Sequence, residues 1–201
     1  MMDYIQETSS NIVQKTPDTV SHLQVMDVVT ASMAPHAAAP SRGRILNLEE
    51  SFEKIRQEAQ NLFRGARGQR FENGLESAFS RDLVSLVKKH GDVAVKAIAE
   101  IVLSEEAHAE VIGEALHWLG DIDDPKSYSS RLDLLEKSLK SPSPSVRDGA
   151  ALGIAFLDNP HAIPFLQDAI KQEKHPGLRQ DLQQVLDQLE ETLAADTQND
   201  T

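Results

Sequence analysis

Residues 146–166, VRDGAALGIAFLDNPHAIPFL, rewrite a pattern met thirty-five residues earlier in residues 111–125, VIGEALHWLGDIDDP. Each stretch begins with valine, places alanine at the fifth position and an aliphatic residue at the ninth and twelfth, and closes on Asp-x-Pro. Val111, Ala115, Leu119, Ile122 and Pro125 therefore align with Val146, Ala150, Ile154, Leu157 and Pro160 at a constant shift of 35. A third copy starts at Leu178, 32 residues past Val146, and continues through Leu182, Leu186 and Leu189. The segments between correspond too: Leu132, Leu135 and Leu139 match Ile163, Leu166 and Ile170 at a shift of 31. Apolar residues recurring at three- and four-residue steps form one stripe of a helix. Two helices in a unit of just over thirty residues cannot bury their stripes alone, so the pattern predicts helix pairs stacked on their neighbours.

Working outward, helical periodicity holds from Asn47 onward. Asn47 is a candidate N-cap with Glu50 three residues on, followed by Leu48, Phe52, Ile55, Ala59 and Leu62 along one face. A second helix is expected from about Phe71 to Lys89, through Leu75, Phe79, Leu83 and Leu86, ending at Gly91. SPSPS at 141–145 reads as a turn that opens a helix, with Ser143 at the N-cap and Pro144 at the first helical position. No segment sustains the period-two alternation of a strand, so the fold class is all-α. The first 44 residues differ: SMAPHAAAPSRGR has linker composition, and Val20, Leu23, Met26 and Val29 or Thr30, with Met33 one turn further, mark a short amphipathic helix before it. That segment is either a frayed arm or one that orders against its own domain or a partner. The expected organisation is a flexible arm and linker over 1–44, a helical pair over 45–91, repeats over 92–193 and a disordered tail over 194–201.

The 201 residues are 40% hydrophobic but only 4% aromatic, so the core must be built from Leu, Ile, Val and Ala. With no cysteine, disulfides, thiolate metal sites and cysteine nucleophiles are excluded. The net charge of −12 argues against a phosphate-backbone binder. Its distribution is uneven: residues 42–81 carry eight Lys and Arg against six acids, while residues 82–201 carry eleven against twenty-two. An acidic body suits a partner with a basic surface. The first residues lack a basic stretch followed by an apolar run, and no stretch approaches membrane-spanning length, so a cytoplasmic protein without membrane or nucleic-acid contact is expected.

The stretch from Val146 to Ile170 resembles the short bacterial HEAT repeats, sometimes called phycobilisome-lyase-like, through Val146-Arg147, Ala150-Ala151, Asp158-x-Pro160 and Ala162-Ile163-Pro164-x-Leu166. The resemblance covers about residues 92–192. Arg147 and Arg179 stand where such repeats carry an arginine, whereas Ile112 departs from it. It implies a short right-handed α-solenoid of HEAT-like helix pairs behind a largely irregular N-terminal arm. It also implies that the second helix of each pair lines a concave groove and that the scaffold serves protein binding, which is structural information rather than an activity.

If Val111, Ala115, Leu119 and Ile122 face the core, Glu114, His117 and Asp121 turn toward that groove. One repeat on, the equivalents are Gly149, Leu152 and Phe156, with Asp148 beside Gly149; two repeats on they are Asp181, Gln184 and Gln188. Leu152 and Phe156 are apolar on an otherwise polar wall. Either the arm or a neighbouring helix covers them, or they anchor a partner inside an acidic groove. Trp118 is expected in the core, packed where Gly153 leaves room.

Chemistry is thinly represented. Glu105/His108 and Glu114/His117 have the spacing of a carboxylate–imidazole pair on one helix face, but they lie nine residues apart and cannot enclose a metal pair. No catalytic residues, cofactor or metal site are assigned. Arg64, Arg67 and Arg70, spaced by glycines, read as a solvated loop, the alternative being a site for phosphate or an acidic peptide. The expected function is a non-enzymatic protein-interaction module whose acidic groove takes a basic partner, a toxin or effector being one such partner. The alternative that the resemblance implies is a bilin-lyase-like subunit or a chaperone for chromophore attachment.

Overall fold

Ridges of small and branched aliphatic side chains close against each other along the eight α-helices of the described residues. A computed structural model describes residues 42–72 and 75–199, with the side chains of 42–48 and of 199 left aside. The helices are α1 (Arg42–Gly65), α2 (Ala78–His90), α3 (Asp92–Leu103), α4 (Ala109–Gly120), α5 (Tyr128–Ser138), α6 (Pro144–Leu157), α7 (Ile163–Gln172) and α8 (Pro176–Asn199), with a 3-10 turn at Pro160–Ala162. No strand occurs among the described residues. The amphipathic segment from Val20 to Met33 lies outside them.

The helices form two layers of an α-solenoid-like stack. α1, α3 and α5 pack in succession in one layer, and α2, α4, α6 and α8 in the other, while α7 packs on α8. The repeat register holds: Val111, Ala115, Leu119 and Ile122 on and after α4, Val146, Ala150 and Ile154 on α6, and Leu178, Leu182, Leu186 and Leu189 on α8 are all buried. Each unit alone would leave its stripe in water, and stacking removes it at about 25 cal/mol per Å² of apolar surface. Among the described residues no helix is long and apolar enough to cross a membrane.

The element ends differ from expectation in three places. α1 begins at Arg42, so Asn47 lies inside the helix instead of capping it. α2 begins at Ala78, because Ser77 and Ser80 form a reciprocal capping box, Ser80 N–H donating to Ser77 Oγ (3.0 Å) and Ser77 N–H to Ser80 Oγ (2.8 Å). Phe71 thus lies outside the helix, yet it still packs on the core, its ring 5.8 Å from Phe79, while Leu75 is exposed. α8 runs on to Asn199, beyond the expected start of a tail at 194. At α6 the expectation holds: Ser143 is extended at the N-cap and Pro144 opens the helix.

The α4–α6 contact is the closest helix pairing in the stack, and glycines set it. A Cβ on Gly149 would run into the carbonyl of Gly113, and one on Gly120 into the backbone of Gly153. On Gly153 it would meet Leu116 O at 2.5 Å and Leu135 Cδ2 at 2.6 Å. Gly153 therefore makes room for the neighbouring backbone and Leu135, not for Trp118 as the sequence suggested. Trp118 is half-buried, its indole N–H donating to Glu114 Oε1 at 2.7 Å.

Buried polar groups tie the loops to this frame. Arg131 is 1% exposed on the interior stripe of α5. Its Nη1 donates to Leu119 O (2.7 Å), Nη2 to Asp124 O (3.2 Å) and Nε to Ser127 Oγ (3.2 Å), which fastens the turn after α4. Arg147, at the repeat-arginine position, makes a two-pronged bond to Glu173 (2.7 and 3.0 Å) and also donates to the carbonyls of Ser141 and Pro142. Glu173 Oε1 accepts the N–H groups of Lys174 and His175 ahead of α8. The Arg147 guanidinium holds the Glu173 carboxyl down at about 2.

Candidate functional site: the exposed face of α4, α6 and α8

On α6 the helical step that buries Val146, Ala150 and Ile154 brings Asp148, Leu152 and Phe156 into a line four residues apart on the outer side. Leu152 is 37% and Phe156 54% exposed, so neither is core. The pair survives there because α6 is fixed from both ends by other residues. Ser143 and Pro144 set its start, and Asp158 stops it in a left-handed conformation (φ 47°, ψ 44°). The Asp158 carboxylate then accepts from Gln188 Nε2 (2.9 Å) and Thr192 Oγ1 (3.0 Å) on α8.

α4 brings Glu114, His117 and Asp121 to the same face. The His117 ring lies between aromatics, 5.3 Å from Phe156 across the seam and 5.5 Å from Trp118 beside it. Glu114, His117, Asp148 and Leu152 line one open cleft of about 440 Å³ together with Arg70 and Phe71. Phe156 faces a second cleft of about 510 Å³ with Asp121, Asp123, Asp124 and Tyr128. The two apolar side chains thus stand between two carboxylate-rich hollows.

Asp148 is the electrostatic focus. It is half-buried and forms no salt bridge among the described residues. Burial, and then the Asp181 carboxylate on α8, push its carboxyl above the usual range, with His117 acting in the opposite sense. A cation brought to this spot would relieve that repulsion.

The remaining expected site residues divide. Asp181 and Gln184 are exposed on α8. Gln188 is engaged in the frame, donating to Ala155 O and Asp158 Oδ1, both at 2.9 Å. The three loop arginines do not converge: Arg64 and Arg67 border a cleft with Phe63 and His108, whereas Arg70 borders the α4–α6 cleft. No group of three or more His, Asp or Glu able to hold a metal occurs among the described residues. Sequence reasoning missed Asp123, Tyr128 and Phe71 as neighbours of the face. It also missed Arg131, although its position one residue before Leu132 on the α5 stripe was the available signal.

Compared with known families, residues 95–187, from α3 into α8, match the family model described as HEAT repeats. Neither the curated proteins nor the solved structures compared with the chain give a match.

Proposed function

From the match of residues 95–187 to the HEAT-repeat model, we propose that the protein is a non-enzymatic interaction module of HEAT type that binds another protein on the α4–α6–α8 face. HEAT repeats generally mediate protein–protein interaction. The observation that carries the reading here is the exposed Leu152–Phe156 pair, flanked by Glu114, Asp121, Asp148 and Asp181. An apolar pair within a charged rim is the anatomy of an interface anchor. The carboxylates favour a partner with a basic surface, steer its approach and disfavour phosphate backbones. A cytoplasmic basic toxin or effector is one partner of that chemistry.

The test is capture by immobilised full-length chain, wild type against Leu152→Asp/Phe156→Asp. Both side chains are solvent-exposed, so the double variant should keep its fold, with a stability change of about 1 kcal/mol or less. Capture should be lost in the variant, and wild-type capture should weaken between about 0.1 and 0.5 M salt as the Debye length shrinks. An unchanged set of captured proteins from a folded double variant would overturn the reading.

A further inference from the structure

The site has three candidate occupants: residues 1–41 of this chain, a second copy, or a foreign segment. Charge separates them. Residues 1–41 carry Lys15 against Asp3, Glu7, Asp18 and Asp27, a balance of −3, and there is no Lys or Arg from 16 to 41. A second copy brings a net −12. The first would set carboxylates against Asp121 and Asp148, neither of which forms a salt bridge among the described residues, and the second is acidic outside residues 42–81, where eight Lys and Arg stand against six acids. Like charges brought together in a partly desolvated cleft oppose binding.

The face is also two-ended. Asp148 and Phe156 lie eight residues apart on α6, about 12 Å along the axis at 1.5 Å per residue. Carboxylates flank the apolar pair at both ends, Glu114 and Asp148 at one, Asp121 and Asp123 at the other. The two cations near these hollows do not cancel them. The Arg131 guanidinium is engaged with Leu119 O, Asp124 O and Ser127 Oγ, and Arg70 lines the first as one cation against Glu110, Glu114 and Asp148.

We propose that the occupant is a short amphipathic segment of a partner protein, with two apolar side chains at its centre and cationic side chains at both ends. The centre covers Leu152 and Phe156, and the ends answer Asp148 and Asp121. This rests on the interface reading above and specifies its ligand.

Labelled peptides of about fourteen residues, with Leu and Phe at the centre, test it by fluorescence anisotropy on the full chain. The first carries two lysines at each end, the second lysines at one end only, and the third glutamates at both ends. Unlabelled residues 16–34 of this chain serve as competitor. The two-ended basic peptide should bind, and Asp148→Asn and Asp121→Asn should each weaken it about fivefold. The one-ended peptide should bind about tenfold more weakly and ignore the substitution at the end it lacks. The acidic peptide and the competitor should have no effect. Equal binding of the acidic peptide, competition by residues 16–34, or indifference to both Asn substitutions would overturn the proposal. So would a concentration-dependent dimer that Leu152→Asp abolishes. Capture lost in the double variant while the basic peptide fails to bind sinks only this ligand chemistry; capture retained in the double variant sinks the interface itself.

Discussion

α6 has two neighbours in its layer, and it is held to them by opposite means. Toward α4 the contact is backbone against backbone, with Gly113, Gly120, Gly149 and Gly153 removing the side chains that would keep the helices apart. Toward α8 the contact adds polar ties: Arg147 to Glu173 in the turn ahead of α8, and Asp158 to Gln188 and Thr192 on it. A backbone seam depends on shape and is indifferent to pH and salt. A polar seam depends on ionisation, so the C-terminal end of the stack should loosen first in acid.

Breaking the first seam should cost most. Gly149→Ala adds a methyl with no room beside the Gly113 carbonyl. Helix propensity favours alanine by about 1 kcal/mol, but overpacking against a backbone that cannot swing aside costs more. A net loss of about 2–3 kcal/mol should appear in urea unfolding followed by Trp118 fluorescence. The same substitution at Gly177, where a Cβ meets nothing, should be neutral or slightly stabilising.

Breaking the second seam should cost somewhat less and be pH-dependent. Glu173→Gln leaves the Arg147 guanidinium partly buried against a neutral partner, at about 2 kcal/mol near neutral pH. Because the folded Glu173 carboxyl is held at about 2 against an ordinary value of 4.5, its contribution is fully present above pH 4.5. It is lost as the pH falls from there toward 2. The stabilities of the wild type and of the Glu173→Gln variant, measured over that range by chemical unfolding, should therefore converge at the acid end.

The smallest effect is expected from Thr192→Ala, since the hydroxyl is exposed and Gln188 still donates to Asp158: about 0.5–1 kcal/mol. A loss as large as that at Gly149 would mean that the two seams do not differ in kind.

Much of the frame was legible because burial follows period. Val111, Val146 and Leu178 open three copies of one stripe, and all three are buried. The glycine seam was not legible from that alignment. Gly113 meets Gly149 and Gly120 meets Gly153, pairs 36 and 33 residues apart, so a shift of 35 hides both. The start of α2 was obscured because Phe71 and Leu75 extend the apolar spacing upstream of the Ser77 cap. At the face, helix geometry alone placed Leu152 and Phe156 outward, but it also placed Gly149 there, which is buried against Gly113 in the seam, so that Asp148 completes the line instead. The meeting of His117 with Phe156, and the rise in the Asp148 carboxyl from Asp181, needed three helices in place.

The glycine seam also settles who moves on binding. Where the glycines bring the two backbones together there is little to repack, so α4 and α6 should meet a ligand as one plate. The ordering entropy then falls on the visitor, so the association rate should track how far the visiting segment is already shaped to the plate.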